Sequence, residues 1–140
     1  MRKIEHGRYI ATDVRWGMVL DLSGADNRSL IAYGFHGSEN QQWDFSPCGA
    51  GFVISSVKSG AFLAVRDLKG LHLEGAAEVV TGTFPTCWEL EIMDNGNRNA
   101  EGGAEHEDGD VYVRIRLPHS EMALSFKGNY AGARVSRMNC

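Results

Sequence analysis

Short runs of apolar residues alternate with polar residues along this chain, and turn-forming residues separate the runs. The first runs cover Gly7–Arg15, Met18–Leu22, Ser29–Tyr33 and Gln41–Phe45. Because side chains point to opposite faces of a strand with a period of two, the last run places an apolar ring at every second position on one face. Runs of this length, bounded by glycine, asparagine and serine, predict short β-strands rather than helices.

The same pattern starts again twice further along the chain. A second unit begins at Gly51 and ends near Ile92, and a third begins at Val111. Equivalent glycines and tryptophans in the first two units are separated by about 44 residues. No unit of four short strands can bury its own apolar face, so the three must close around a shared core. We therefore expect one all-β domain over residues 1–140, with repeats near 7–50, 51–94 and 110–140.

Composition supports a turn-rich chain and excludes several classes of partner. Seventeen glycines and three prolines among 140 residues are typical of many tight turns. The net charge of −4 and the pI near 5.7 leave no basic face, which argues against nucleic acid and anionic membranes as partners. No apolar stretch is long enough for a membrane span or a signal peptide, so we expect a cytoplasmic protein. The odd number of cysteines favours reduced thiols over disulfides.

The motifs of the first unit carry a resemblance to a known family. They are Gly7-x-Tyr9-x-Ala11, then a series from Leu20-Asp21-Leu22-Ser23-Gly24 to Tyr33, then His36-Gly37-x-x-Asn40-Gln41-x-Trp43. This ordered series resembles the first repeat of fungal ricin-B-type β-trefoil lectins, in which Gln-x-Trp is a signature. The match is dense over residues 7–45, thinner over 51–92 and weak after 110. The resemblance implies a β-trefoil fold and carbohydrate binding.

In that family each repeat ends with a Gln-x-Trp strand, and the third unit has no such motif before Cys140. The sequence therefore predicts a β-trefoil whose third repeat lacks its last strand. An unpaired strand edge pairs readily with another chain. Since two-fold assemblies are the commonest closed solution, we expect a homodimer that covers this edge.

The resemblance also implies a sugar pocket in the first repeat, lined by Asp21, Gly24, Tyr33, His36, Asn40 and Gln41. Asp21 alternates with two leucines, so its side chain is expected to point away from theirs. Its carboxylate either accepts charge-assisted hydrogen bonds from vicinal sugar hydroxyls or is a solvated group or turn cap.

The remaining candidates also have a functional and a structural interpretation. The ring of Tyr33 either stacks on the apolar face of a pyranose or fills the core. The amide of Asn40 can donate to and accept from a hydroxyl. Gln41 is expected mainly to brace its loop, while His36 either lines the rim of the pocket or is merely exposed.

The other two units provide an internal control. Our alignment places Ala64 and Ser125 at the position of Asp21, and Thr81 and Arg137 at that of Tyr33. Pro85-Thr86-x-Trp88 replaces Asn40-Gln41-x-Trp43, so the tryptophan is kept and the polar site residues are not. This pattern predicts one working pocket.

Catalytic, phosphate-binding and metal motifs are absent from the sequence, which favours a non-enzymatic protein without a cofactor. The acidic stretch 105–110 is interpreted as a solvated loop rather than a metal site, because it lacks the spacing of a calcium loop. The leading hypothesis is a lectin for glycans of the galactose, N-acetylgalactosamine or mannose type. The alternative is a trefoil that binds proteins, as a companion subunit or protease inhibitor, through the loop 95–110 and without sugar binding.

Overall fold

The structure, a computed structural model, describes residues 4–65, 79–93, 110–120, 123–125 and 133–138. Within these ranges the chain forms ten strands and one short 3-10 turn, Glu39–Gln41. The strands are β1 (Gly7–Asp13), β2 (Val19–Leu22), β3 (Leu30–Tyr33), β4 (Trp43–Cys48), β5 (Gly51–Ser56), β6 (Phe62–Val65), β7 (Val79–Gly82), β8 (Cys87–Ile92), β9 (Val111–Arg116) and β10 (Ala133–Arg137).

Six of these strands close a barrel. Antiparallel pairs join β1 to β4, β4 to β5, β5 to β8, β8 to β9, β9 to β10, and β10 back to β1. The barrel encloses fully buried side chains from all three repeats, including Trp43, Ile54, Val113 and Val135. Since each repeat contributes strands to one shared interior, the predicted all-β trefoil fold is confirmed.

The first two repeats attach their hairpins to the barrel in the same way. The indole Nε1 of Trp43 donates to the carbonyl of Leu20 in β2 over 3.1 Å. The indole Nε1 of Trp88 donates to the carbonyl of Leu63 in β6 over 2.9 Å. Both rings are buried, so each indole N–H needs an internal acceptor, and the bond fixes the hairpin to the barrel wall.

The prediction that the third repeat lacks its last strand is wrong. Trp43 of β4 lies opposite Tyr9 of its own repeat and opposite Ser56 of the next. Ala133 of β10 lies opposite Val113 of its own repeat and opposite Asp13 in β1. The strand β10 therefore occupies the place that β4 and β8 occupy in the other repeats. Sequence reasoning missed it because alanine stands at the position of the signature tryptophan.

This closure removes the physical reason given for a homodimer. In the described part of the chain, β1 is flanked by β4 on one side and by β10 on the other. The homodimer itself stays a prediction, without an open barrel edge to support it. Almost all of the loop 95–110, on which the protein-binding alternative depends, lies outside the described residues. Within the described ranges, no helix is long and apolar enough to cross a bilayer.

Candidate functional site

The hairpin of β2 and β3 has one face in the core and a second, mixed face that carries Asp21. Leu20 and Leu22 are buried in the core, and Asp21 between them points to the other face, as the alternation predicts. On that face Asp21 lies opposite Ile31, and Val19 lies opposite Tyr33. The face is not open to solvent at Asp21, however, because the side chain is only 3 % exposed.

The Asp21 carboxylate is held by two side-chain amides. Its Oδ1 accepts a hydrogen bond from Asn40 Nδ2 over 2.9 Å, and its Oδ2 accepts one from Gln41 Nε2 over 2.7 Å. The Nε2 atom of His36 lies 3.6 Å from the same Oδ2. The interpretation of Asp21 as a solvated carboxylate is therefore wrong, because the segment 34–41 folds over it.

Gln41 braces that segment. Its Oε1 accepts hydrogen bonds from the backbone N–H groups of His36 and Gly37, over 2.8 and 3.0 Å. Its Nε2 donates to the carbonyl of Gly34 over 2.9 Å as well as to Asp21. The side chain is fully buried and uses both ends of its amide. These bonds fit the expectation that Gln41 braces its loop. They also fix the position of the Asp21 carboxylate.

Asn40 retains one group that can bind a ligand. Its Nδ2 donates to Asp21 and, over 3.2 Å, to the carbonyl of Leu22. No residue in the described ranges donates to its Oδ1. A half-buried amide oxygen beside a carboxylate is a ready acceptor for a hydroxyl group.

Aromatic rings flank the polar cluster. Tyr33 is 53 % exposed, so the interpretation of its ring as core filler is wrong. Its ring centroid lies 5.9 Å from that of His36, in an edge-on arrangement. Phe35 is exposed as well and was not among the sequence candidates, although an apolar ring between Gly34 and His36 in a polar loop was a usable signal.

The turn between β2 and β3 has a separate role. Asp26 Oδ1 accepts from the backbone N–H groups of Arg28 and Ser29, and its Oδ2 accepts from the Ser29 hydroxyl over 2.6 Å. These hydrogen bonds, the Ser29 hydroxyl first, lower the pKa of Asp26 to about 2. Gly24 stands in this turn with open space where a Cβ would be, and in the described structure no hydrogen bond joins it to the Asp21 cluster.

The pairing of the second hairpin tests the alignment between repeats. Leu20 lies opposite Ala32, whereas its counterpart Leu63 lies opposite Thr81. Ala64 therefore matches Asp21, as the alignment has it. Thr81 matches Ala32, so the residue that matches Tyr33 is Gly82.

The match of Tyr33 to Arg137 is also wrong. Arg137 belongs to barrel strand β10, where it lies opposite Tyr9. The same counting from Gly82 makes Phe84, which is 80 % exposed, the counterpart of Phe35. The second repeat thus keeps an exposed ring but has neither the carboxylate nor the tyrosine.

Neither metal chemistry nor thiol chemistry is supported by the described residues. They contain no group of three or more histidine, cysteine, aspartate or glutamate side chains that could hold a metal ion. Cys87 Sγ donates to the carbonyl of Cys48 over 2.9 Å, and both cysteines are free. Burial, followed by the neighbouring Cys48 thiol, raises the pKa of Cys87, which keeps this thiol protonated and weakly nucleophilic at neutral pH.

No family model and no curated protein matches the chain. Among solved structures it is similar to the Macrolepiota procera ricin B-like lectin in complex with lactose, with 26 % identity, a TM-score of 0.72, and coverage of 97 % of this chain and 88 % of that chain. It is similar to the Rhizoctonia solani agglutinin at 21 % identity and a TM-score of 0.67, covering 99 % of this chain and 91 % of that one. A designed three-fold symmetric protein, ThreeFoil, matches at 23 % identity and a TM-score of 0.64, over 94 % and 88 % of the two chains.

Proposed function

We propose that this chain, a β-trefoil of the ricin B-like lectin type, is a non-catalytic lectin that binds carbohydrate through one main pocket in its first repeat. The observation that carries the proposal is the Asp21 carboxylate, fixed by Asn40 and Gln41 beside the exposed ring of Tyr33. The similarity to a lectin that was solved with lactose supports it.

The carboxylate can bind a sugar although most of its surface is covered. An ionised carboxylate has about four acceptor positions, and the side-chain amides use one on each oxygen. One acceptor position per oxygen is left, which suits two vicinal hydroxyls of a pyranose. Because the amides already hold the carboxylate, binding does not have to order it, which lowers the entropic cost of association.

Two neighbouring groups would complete the recognition of one sugar. The Oδ1 of Asn40 can accept a hydrogen bond from a hydroxyl that lies next to the carboxylate. The exposed face of Tyr33 can cover the C–H groups of the pyranose, which buries apolar surface without desolvating the hydroxyls. His36 lies against both Tyr33 and Asp21 and forms the rim between them.

The proposed affinity is modest, and one site is proposed for each chain. A shallow site with few hydrogen bonds and one stacked ring gives dissociation constants of roughly 10 μM to 1 mM. The second repeat has Ala64 where the first has Asp21, so it lacks the charged acceptor. Agglutination by a protein with one pocket would require at least a dimer.

The proposal is tested by titrating the protein with lactose, N-acetylgalactosamine and mannose. Calorimetry or NMR measures each affinity and so ranks the sugar types. Tyr33→Ala should weaken binding by about tenfold or more with little loss of stability, since its ring is exposed and makes no side-chain hydrogen bond in the described structure. Phe84→Ala is the matched control, because it removes an exposed ring from the second repeat. Absence of binding by every sugar at about 50 mM, well above the proposed range, would contradict the proposal.

A further inference from the structure

A groove on the outer wall of the barrel lies beside the proposed sugar pocket. It runs between strands β1 and β10 on one side and the hairpin of the first repeat on the other, and its volume is about 430 Å³. Small-molecule sites commonly fall between about 300 and 1,000 Å³. The wall is formed mainly by Ile10, Thr12, Val19, Phe35, Arg134 and Ser136.

The hairpin of the first repeat borders both the groove and the proposed pocket. Val19 lines the groove, and it lies directly opposite Tyr33 on the same face as Asp21. Val19 and Asp21 are two residues apart along β2, which corresponds to about 7 Å. Phe35, also in the groove wall, is next to His36 in the segment that covers Asp21. A second sugar unit attached to one bound at Asp21 would therefore reach the groove.

Arg134 places a positive charge in this groove, and its Nε has only a long ion pair to satisfy it. Its Nε is buried and makes no hydrogen bond to any described residue. The carboxylate that lies nearest in the described ranges, Asp110 Oδ2, is 3.9 Å away, longer than a charge-assisted hydrogen bond of about 2.7–2.9 Å. Arg137 also borders the groove, but its guanidinium is directed to Glu5 and to the carbonyl of His6.

The barrel's pseudo-threefold symmetry shows that this arrangement is specific to one position. The counterparts of Arg134 are Asp44 in β4 and Glu89 in β8, and both are acidic. An arginine lies opposite each of them, Arg8 opposite Asp44 and Arg116 opposite Glu89. Arg134 reverses the sign of the charge, and its two cross-strand neighbours, Thr12 and Tyr112, are uncharged. The acidic partner of Arg134, Asp110, is not directly opposite it but stands two residues before Tyr112, and the ion pair is correspondingly long at 3.9 Å.

We propose that the groove is a second subsite, which binds a carboxylate-bearing sugar, a sialic or uronic acid, linked to the sugar held at Asp21. The inference rests on the proposed lectin function. The carboxylate would accept hydrogen bonds from Arg134, and the hydroxyls of Thr12 and Ser136 would meet the sugar's hydroxyls. Phe35, which is exposed, offers apolar surface to its C–H groups and to an acetyl methyl group. Acidic glycans are thus the preferred class of ligand.

The test compares lactose with two acidic trisaccharides, lactose carrying a terminal sialic acid and lactose carrying a terminal glucuronic acid. At least one acidic trisaccharide should bind about tenfold more tightly than lactose, since lactose has no group that forms a charge-assisted hydrogen bond with Arg134. The advantage should shrink in about 1 M salt, where the Debye length is about 3 Å. The trisaccharide that binds more tightly than lactose identifies the acidic sugar that the groove prefers.

Arg134→Gln should remove the difference between acidic and neutral ligands. Arg114→Gln is the matched control, because Arg114 is an arginine of the adjacent strand β9 that pairs with Glu91 and lies outside the groove. A melting curve of each variant confirms that it is folded. Equal binding of lactose and both acidic ligands, or a preserved advantage in Arg134→Gln, would overturn the subsite while leaving the lectin function intact. Failure of all ligands would overturn both proposals.

Discussion

The side-chain amide of Gln41 donates to the Asp21 carboxylate over 2.7 Å, although the two residues are 20 positions apart and both are almost completely buried. This bond joins the hairpin of the first repeat to the segment that covers it. The charge that is proposed to bind sugar is therefore also an internal structural element. Binding and stability cannot be separated at Asp21, but they can be at Tyr33.

Asp21→Ala should abolish sugar binding and also destabilise the protein. The substitution removes one of the two acceptors of the Asn40 and Gln41 amide nitrogens, and each N–H left without a partner away from water costs about 1–3 kcal/mol. Urea unfolding monitored by tryptophan fluorescence measures the loss, and sugar titration measures binding. Asp44→Ala, which removes a partly exposed carboxylate paired with Arg8, is the control. Unchanged stability in Asp21→Ala would show that the carboxylate is not bonded as described.

Trp43→Ala should be one of the most damaging single substitutions. The ring is fully buried, so its loss leaves a cavity, and the carbonyl of Leu20 loses its donor. The expected loss is about 3–5 kcal/mol in the free energy of unfolding. Trp16→Ala removes an exposed ring from a turn and should cost less than about 1 kcal/mol in the same measurement. Similar losses for both variants would argue against the described core.

The turn of the first hairpin should carry an acid-dependent part of the stability. The folded pKa of Asp26 is about 2, below its ordinary value of 3.8, mainly because of the Ser29 hydroxyl. A lowered pKa stabilises the folded state above the unfolded pKa, and this contribution is lost as the pH falls from about 4 to 2. NMR titration of the carboxyl carbon should give a midpoint near 2, which Ser29→Ala raises towards 3.8. A wild-type midpoint near 4 would contradict the hydrogen bonds described.

Cys87 should react slowly with iodoacetamide near pH 7.5. Burial raises the pKa of its thiol, so little thiolate is present at that pH, and the rate should increase only in more alkaline solution. Cys48→Ser should speed the reaction, since Cys48 also contributes to the raised pKa. Mass spectrometry of the peptide that contains Cys87 follows the reaction. Labelling of wild-type Cys87 as fast as a free cysteine would contradict this environment.

The barrel was predictable where large apolar side chains mark the strands, and it was not predictable elsewhere. Trp43 and Trp88 set the repeat length, and both bury their rings against a hairpin, as the pattern indicates. The strand with Ala133 carries no such mark, because its place in the barrel depends on pairing with β1, at the other end of the chain. Residues far apart in sequence determine that pairing, and no local pattern reports it.

The candidate site shows the same limit. Alternation indicated the face to which Asp21 points, but not that the bonds of Gln41 fold a loop over that face. The counterpart of Tyr33 was misplaced by one residue, which in a strand exchanges one face for the other. Arg134 was not a candidate, because the absence of an acidic residue directly opposite it appears only once the register of three repeats is known.

The pairing of β1 with β10 has a consequence for how the chain can be re-engineered. Tyr9 and Arg137 lie side by side, and the Met138 N–H donates to the Arg8 carbonyl over 2.8 Å. Because these two segments are adjacent, a short linker could join them in a circularly permuted chain. New ends at the exposed Gly49–Ala50 turn would fall between β4 and β5 and leave every described strand uncut. The covalent order of the repeats would change, while the barrel and the hairpin carrying Asp21 would not.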